Sequence, residues 1–88
     1  MAKWAKFRRM LLSGASDRNI RFDDLIGYVR HLGFEVHVKG SHHVCSRADV
    51  AEKFVLQPVK DGSAKPYQVK QVRRIVQQYG LGDDGDEV

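Results

Sequence analysis

The sequence predicts a small α+β domain in which a three-stranded antiparallel sheet is flanked by helices. Apolar residues recur at helical spacing in three segments, and alternating apolar and polar residues mark three short strands between the second and third of these segments. A chain of 88 residues has room for one core only. A single antiparallel sheet must bury its apolar face, and the helices are the only cover that this chain offers.

The first two helices are expected over residues 3–12 and 22–32. In the first, an apolar stripe lies between lysines and arginines. We expect this stripe to pack on the domain, although a basic amphipathic helix can also lie on a membrane or along a nucleic acid. In the second, Asp23 and Asp24 favour the first turn through the helix dipole, and Gly33 ends the helix as a left-handed cap.

Three strands follow the second helix. Residues 34–38 alternate apolar and polar side chains, so this strand is predicted to have one buried face and one exposed face. Residues 40–41 form a tight turn into a second strand over residues 42–47. The polar stretch 48–52 is expected to turn back into a third strand, 54–57.

The last helix is predicted to begin at Pro66, which suits a first turn, and to end before Gly80 and Leu81. These two residues are typical of a left-handed cap and of the apolar contact that follows one. Beyond them, the acidic segment 82–88 has nothing to bury and is predicted to be disordered. The apolar stripe predicted for this helix consists of Tyr67, Val69, Val72, Ile75, Val76 and Tyr79.

Charge is distributed unevenly along the chain. Four of the 11 acidic residues lie in the last six positions, so residues 1–82 carry 15 basic and 7 acidic residues, a net charge of +8. A basic body favours a polyanionic partner through counterion release, although the same charges could serve solubility alone. No apolar run approaches the roughly 20 residues that span a bilayer, and the first residues lack the apolar segment of a secretory signal. With a single cysteine and hence no disulfide framework, these features predict a cytoplasmic protein without a membrane segment.

The most informative segment, residues 39–43, reads Lys-Gly-Ser-His-His. Histidine titrates near pH ~6.5, so one imidazole can accept a proton and another can donate one at neutral pH. Beside a cation, a hydroxyl and a flexible glycine on a basic chain, this pair indicates RNA cleavage. His42 is the candidate for proton transfer, and the alternative is a capping histidine that hydrogen-bonds the turn.

The neighbours of His42 are candidate RNA contacts. Lys39 can contact a phosphate, and Ser41 and the backbone of Gly40 can donate to a phosphate oxygen, because glycine allows close approach. Simple turn and solubility roles are the alternatives for these three residues. His43 is also a predicted RNA contact, although its opposite parity along the strand means that we do not expect it to reach the same phosphate as His42. Support of the structure or contact with a protein partner is the alternative for His43.

We expect neither a metal site nor a cofactor. His37, His42, His43 and Cys45 lie within nine residues, but their spacing matches no structural zinc pattern. Strand alternation also places His42 on the opposite face from His43 and Cys45. Cys45 lacks the electropositive cavity and acid partner of a nucleophile, and it is predicted to be a small, half-buried filler.

Several short motifs occur in a fixed order along residues 20–81. They are Leu-Gly-Phe (32–34), Lys-Gly-Ser-His-His-Val (39–44), Leu-Gln-Pro (56–58), Lys-Pro-Tyr-Gln-Val (65–69) and Tyr-Gly-Leu (79–81). In these motifs and their order, the segment resembles the HicA family of toxin ribonucleases. The resemblance implies an α-β-β-β-α fold like that of a double-stranded-RNA-binding domain, metal-independent endoribonuclease activity on mRNA, and neutralisation by a HicB-type antitoxin protein.

The resemblance also implies particular residues and segments. The catalytic histidine of the family, the first after Gly-Ser, falls on His42. Residues 1–19 form a basic helix and loop that is additional to the shortest family members, residues 20–81 form the HicA-like domain, and residues 82–88 form the tail. Many members carry an aromatic residue where this chain has Cys45.

Lys65, Lys70 and Arg73 surround the start and outer face of the last helix and complete the predicted RNA contacts. In a fold of this type that region faces an RNA backbone, and the helix N-terminus itself attracts phosphate. A solvated helix face is the alternative for Lys70 and also for Arg74. The predicted function is thus a metal-independent mRNA endoribonuclease toxin, and the alternative is a non-catalytic RNA-binding module of the same fold.

Overall fold

A computed structural model of the protein describes residues 3–82 and confirms the predicted α+β fold class. The three strands form one antiparallel sheet in the order β1-β2-β3. Residues 83–88 of the predicted acidic tail lie outside the described residues. In chain order, the elements are α1 (Lys3–Ser13), a short 3₁₀ turn (Asp17–Asn19), α2 (Phe22–His31), β1 (Glu35–Lys39), β2 (His42–Arg47), β3 (Val50–Leu56) and α3 (Pro66–Tyr79).

One face of the sheet carries the core. Alternate strand residues point towards the helices, and Cys45, Phe54 and Leu56 are buried there. They belong to a single apolar cluster that includes residues from all three α-helices. The most deeply buried helical members are Leu11 of α1, Leu25, Tyr28 and Val29 of α2, and Val69, Val72, Ile75 and Val76 of α3.

The predicted packing of α1 on the domain is confirmed. Phe7 and Leu11 are buried in the shared core, and the Trp4 ring lies edge-on to Phe7 at a centroid distance of 5.9 Å. Trp4 also lies directly against α2. A Cβ atom added at Gly27 would stand 2.9 Å from the outer end of the indole ring, so any side chain at this position would push the ring aside.

The third strand is longer than the sequence predicts. β3 begins at Val50 rather than at residue 54, because Arg47 pairs with Val50 and the turn between the strands needs only Ala48 and Asp49. The Arg47 Nε atom lies 2.8 Å from Oδ1 of Asp49, and this contact braces the turn. Polar residues that locally favour a turn are therefore drawn into the sheet by strand pairing.

The prediction that Tyr67 belongs to the buried apolar stripe of α3 is wrong. Tyr67 is 64% exposed, whereas its neighbour Gln68 is only 5% exposed. The predicted end of the helix is confirmed: Gly80 adopts a left-handed conformation with φ of 61°, and Leu81 is buried behind it.

The side chain of Arg73 ties three elements together in what we term the Arg73 clamp. Its Nη1 and Nη2 atoms donate to Oδ1 and Oδ2 of Asp17 at 2.9 and 3.0 Å, and Nη1 also donates to the Leu11 carbonyl oxygen at 3.0 Å. The side chains of Arg73 and Asp17 are only 17% and 12% exposed. Hydrogen bonds from Arg73 lower the pKa of the Asp17 carboxyl, although burial acts in the opposite direction.

We predict that Asp17→Asn destabilises the protein by about 2 kcal/mol, because a charged, bidentate hydrogen bond to a largely buried arginine is lost. The effect should depend on pH. Since folding lowers the pKa of Asp17, its contribution is complete above the ordinary aspartate pKa of about 4 and is lost as the pH falls through the lower, folded value. Urea unfolding from neutral to strongly acidic pH should show the stability curves of the native and variant chains converging in acid.

The matched control is Glu52→Gln, which removes the ion pair between Glu52 and Arg74. This pair has an Nη2–Oε1 distance of 2.7 Å but is more exposed than the Arg73 clamp, so solvent screens it. The loss of stability should be clearly smaller than for Asp17→Asn. Equal losses, or curves for the native chain and Asp17→Asn that stay parallel into acid, would contradict the clamp.

Candidate nucleic-acid interface and catalytic site

The Lys-Gly-Ser-His-His segment forms the corner of the β1–β2 hairpin. Lys39 pairs with His42, so the loop consists of Gly40 and Ser41 alone. Gly40 has φ of 60°, a conformation that glycine adopts without the steric cost that a side chain would add. The Ser41 hydroxyl oxygen accepts a hydrogen bond from Nε2 of Gln57 at 3.1 Å, which fixes the turn against the end of β3.

His42 lies on the face of the sheet that the helices leave uncovered. It is exposed and stands opposite Lys39 in the strand register. Among residues 3–82, no hydrogen bond, ion pair or ring contact engages its imidazole. The residue is therefore exposed and paired with a lysine, and the geometry does not support the alternative of a histidine that caps the turn.

His43 points the other way, as strand parity predicts. Its ring lies edge-on to Phe22 with a centroid distance of 4.8 Å, and its Nδ1 atom is 3.1 Å from the carbonyl oxygen of Ser41. Because a carbonyl can only accept, Nδ1 carries the proton in this contact and Nε2 is the acceptor of the neutral ring. The two histidines thus differ: His43 is oriented by its surroundings, whereas His42 is open to a ligand.

The uncovered side of the sheet, which we call the outer face, is basic and only partly apolar. Along each strand, the residues of the outer face alternate with the residues that face the core. Two lysines and two histidines stand on it against one carboxylate. Its members are Glu35, His37 and Lys39 of β1, His42, Val44 and Ser46 of β2, and Lys53 and Val55 of β3.

Two glutamines that the sequence analysis did not identify connect this hairpin to α3. The buried Gln68 accepts from the backbone N–H of Gln57 through Oε1 at 2.9 Å and donates from Nε2 to the carbonyl oxygen of Val55 at 3.3 Å. Gln57 in turn reaches Ser41. This relay joins the hairpin turn to the first turn of α3, where Lys65 is the N-cap residue. Both glutamines stand in motifs of the HicA resemblance, Leu-Gln-Pro and Lys-Pro-Tyr-Gln-Val, but the sequence alone assigned no role to them.

Two further predicted RNA contacts, Lys70 and Arg73, lie away from the hairpin corner. Lys70 is exposed and lines a shallow cleft with Asp17, Arg18 and Pro66. Arg73 is held by the Arg73 clamp, so its guanidinium serves the fold. The structure therefore brings together residues 39–43, connects Lys65 to them through the glutamines, and directs Lys70 and Arg73 towards the 3₁₀ turn.

Cys45 is more deeply placed than predicted. It is fully buried rather than half-buried, and burial raises the pKa of its thiol to about 11. A thiol of this kind is almost entirely protonated at neutral pH and is a poor nucleophile. Within residues 3–82, no three His, Cys, Asp or Glu side chains come together as a group that could hold a metal ion.

Comparison with known proteins returned no match: no protein-family model matches the chain, and no curated protein or solved structure does. The HicA resemblance therefore stays an expectation that rests on the sequence motifs. Among the helices within residues 3–82, none has the length and apolar character needed to cross a lipid bilayer.

We predict that Gln68→Leu destabilises the protein by about 1–3 kcal/mol, because the C=O of Val55 and the N–H of Gln57 lose their partners in a partly buried site. Hydrogen exchange measured by NMR should show the Gln57 amide losing protection first. The matched control is Gln77→Leu, an exposed position on the same helix. If both variants unfold at the same urea concentration and the Gln57 amide stays protected, the glutamine relay has no role in stability.

Proposed function

We propose that the protein is a metal-independent endoribonuclease toxin that cleaves mRNA and is neutralised by a HicB-type antitoxin. The observation that carries this proposal is His42, an exposed imidazole opposite Lys39 on a basic, uncovered sheet face. An imidazole has one nitrogen that can accept a proton and one that can donate it, which suits a group that must take up and release a proton.

The chemistry follows from these groups. Neutral His42 removes the proton from a ribose 2′-hydroxyl, whose oxygen attacks the adjacent phosphorus. The bond from phosphorus to the 5′-oxygen breaks, and that oxygen takes a proton from the imidazolium or from water. The products are a 2′,3′-cyclic phosphate and a 5′-hydroxyl. Lys39 and the Ser41 hydroxyl offer positive charge and a donor to the phosphorane oxygens, and no step requires a metal ion or cofactor.

Substrate binding is assigned to the outer face and the start of α3. Lys39 and Lys53 are exposed on the outer face, and Lys65 stands at the N-terminus of α3, where backbone N–H groups also favour phosphate. Tyr67 in the same turn is 64% exposed and offers a surface on which an unpaired base can stack. These features favour a single-stranded or loosely structured mRNA over a regular duplex.

The antitoxin is proposed to cover the same face. Val55 on the outer face is 40% exposed, and together with Val44 it gives a protein partner apolar surface next to His42. A partner seated there would exclude RNA from the imidazole without changing the fold. A cytoplasmic location is part of the proposal, because mRNA and a newly made antitoxin are both found there.

We predict that the native chain cleaves a labelled mRNA in excess EDTA and that His42→Ala lowers the rate by about 100-fold or more, the usual range for loss of a general acid or base. The matched control is His37→Ala, which removes another exposed imidazole from the same face. This variant should cleave at close to the native rate. End-group analysis should find 2′,3′-cyclic phosphates and 5′-hydroxyls.

Three outcomes would overturn the proposal in different ways. RNA that is bound with strong salt dependence but stays intact would establish the non-catalytic RNA-binding module. Cleavage that EDTA abolishes would require a metal. Products with 3′-hydroxyl and 5′-phosphate ends would show attack by water rather than by the ribose hydroxyl.

A further inference from the structure

The two edges of the sheet are not equivalent. On the β3 edge, the side-chain amide of Gln68 bonds the C=O of Val55 and the N–H of Gln57. It occupies the positions that a neighbouring strand would use. Among the described residues, no comparable group engages the β1 edge, where Val38 is 52% exposed. β1 is therefore the edge at which another strand can be added.

The hairpin fixes which backbone groups point outwards from β1. A two-residue turn closes with hydrogen bonds between its flanking residues, here Lys39 and His42. Hydrogen-bonded and non-hydrogen-bonded pairs then alternate along the ladder, so the backbone groups of Val36 and Val38 face away from β2. No other backbone bond in residues 3–82 engages them.

The sequence of β1, Glu-Val-His-Val-Lys, is complementary to its own antiparallel copy. Pairing about His37 places Glu35 opposite Lys39 of the second copy and Val36 opposite Val38 of the second copy. It also brings the outward backbone groups of the two valines into register as hydrogen-bonded pairs, with His37 at the two-fold axis as a non-hydrogen-bonded pair. Within one chain, Lys39 has no ion-pair partner among the described residues. The Glu35 carboxylate has one exposed contact there, from Oε1 to Nε2 of His37 at 3.5 Å, and no lysine or arginine partner.

We propose that two copies of this chain associate through β1, antiparallel about His37, to form a continuous six-stranded sheet. Four backbone hydrogen bonds and two ion pairs would join the copies, and the exposed Val38 side chain would be covered. An interface of a single short strand is small, so the dimer is weak and forms at high protein concentration. β1 carries neither the proline nor the bulge that often protects an exposed edge.

The dimer would extend the outer face across two chains, with a His42 from each copy on the same side of the sheet. This inference does not rest on the proposed ribonuclease activity, because it uses only the geometry and charge of β1. A chain without any effect on RNA could still dimerise in this way, and a monomeric ribonuclease would leave the chemistry of His42 unchanged.

Charge reversal tests both the partner and the register. Sedimentation equilibrium of the native chain at low salt should show a monomer–dimer equilibrium. Glu35→Lys and Lys39→Glu should each weaken it at least about tenfold, because each places like charges opposite one another. The double variant E35K/K39E restores both pairs with the signs exchanged and should return the dissociation constant to near the native value.

A cysteine at the two-fold axis gives a second test that does not depend on these charges. Non-hydrogen-bonded antiparallel pairs have Cα atoms about 4.5 Å apart, within the range of a disulfide. Under mild oxidation, His37→Cys should therefore form an intermolecular disulfide much faster than Lys53→Cys, an exposed position on the outer face away from the β1 edge. The native Cys45 is buried and does not contribute a background.

The proposal is overturned by a native chain that stays monomeric at the highest soluble concentration. It is also overturned if the double variant dimerises as weakly as the single variants, or if His37→Cys is oxidised to a disulfide-linked dimer no faster than Lys53→Cys. Circular dichroism of each variant establishes that a lost dimer is not a lost fold.

Discussion

The apolar face of the three-stranded sheet must be buried, and the helices within residues 3–82 cover one face only. Because strand side chains alternate, this constraint determines which residues are available to a ligand. Cys45 is buried with the core and its thiol is kept protonated, while His42 stands in the open on the other side. The helices thereby define the bare, basic outer face on which the proposed function rests.

A small number of buried polar groups hold this arrangement in place. The Arg73 clamp fixes the end of α1 and the 3₁₀ turn to α3, and the amide of Gln68 fixes the start of α3 to the end of β3. From the sequence alone, the side chains of Arg73 and Gln68 could equally have been exposed to solvent or to a ligand. The Arg73 guanidinium is bound within the fold, and Gln68 closes one sheet edge, so that Lys39 and the β1 edge stay exposed.

The hairpin corner combines two histidines in different chemical situations. His43 is oriented by the Ser41 carbonyl and the Phe22 ring, which fixes the position of its ring proton. His42 has no such contact among the described residues, so its ring is free to reorient when a ligand such as the proposed substrate approaches. A catalytic imidazole that must both accept and release a proton benefits from this openness, whereas the neighbouring oriented ring helps to keep the two-residue turn in shape.

The sequence by itself determined the elements and their faces. Helical periodicity, the Gly40 turn and the Gly80 cap act within a few residues, so they can be seen in the chain, and strand alternation was enough to separate His42 from His43. The tertiary structure decided the rest. Asp17 and Arg73 are 56 positions apart, and no local pattern reveals that they pair. Tyr67 was expected in the buried stripe of α3, but Gln68 is buried in its place. The reason is that the end of β3 gives the Gln68 amide two hydrogen-bond partners. β3 began early because pairing with β2 outweighed the turn preference of a polar stretch.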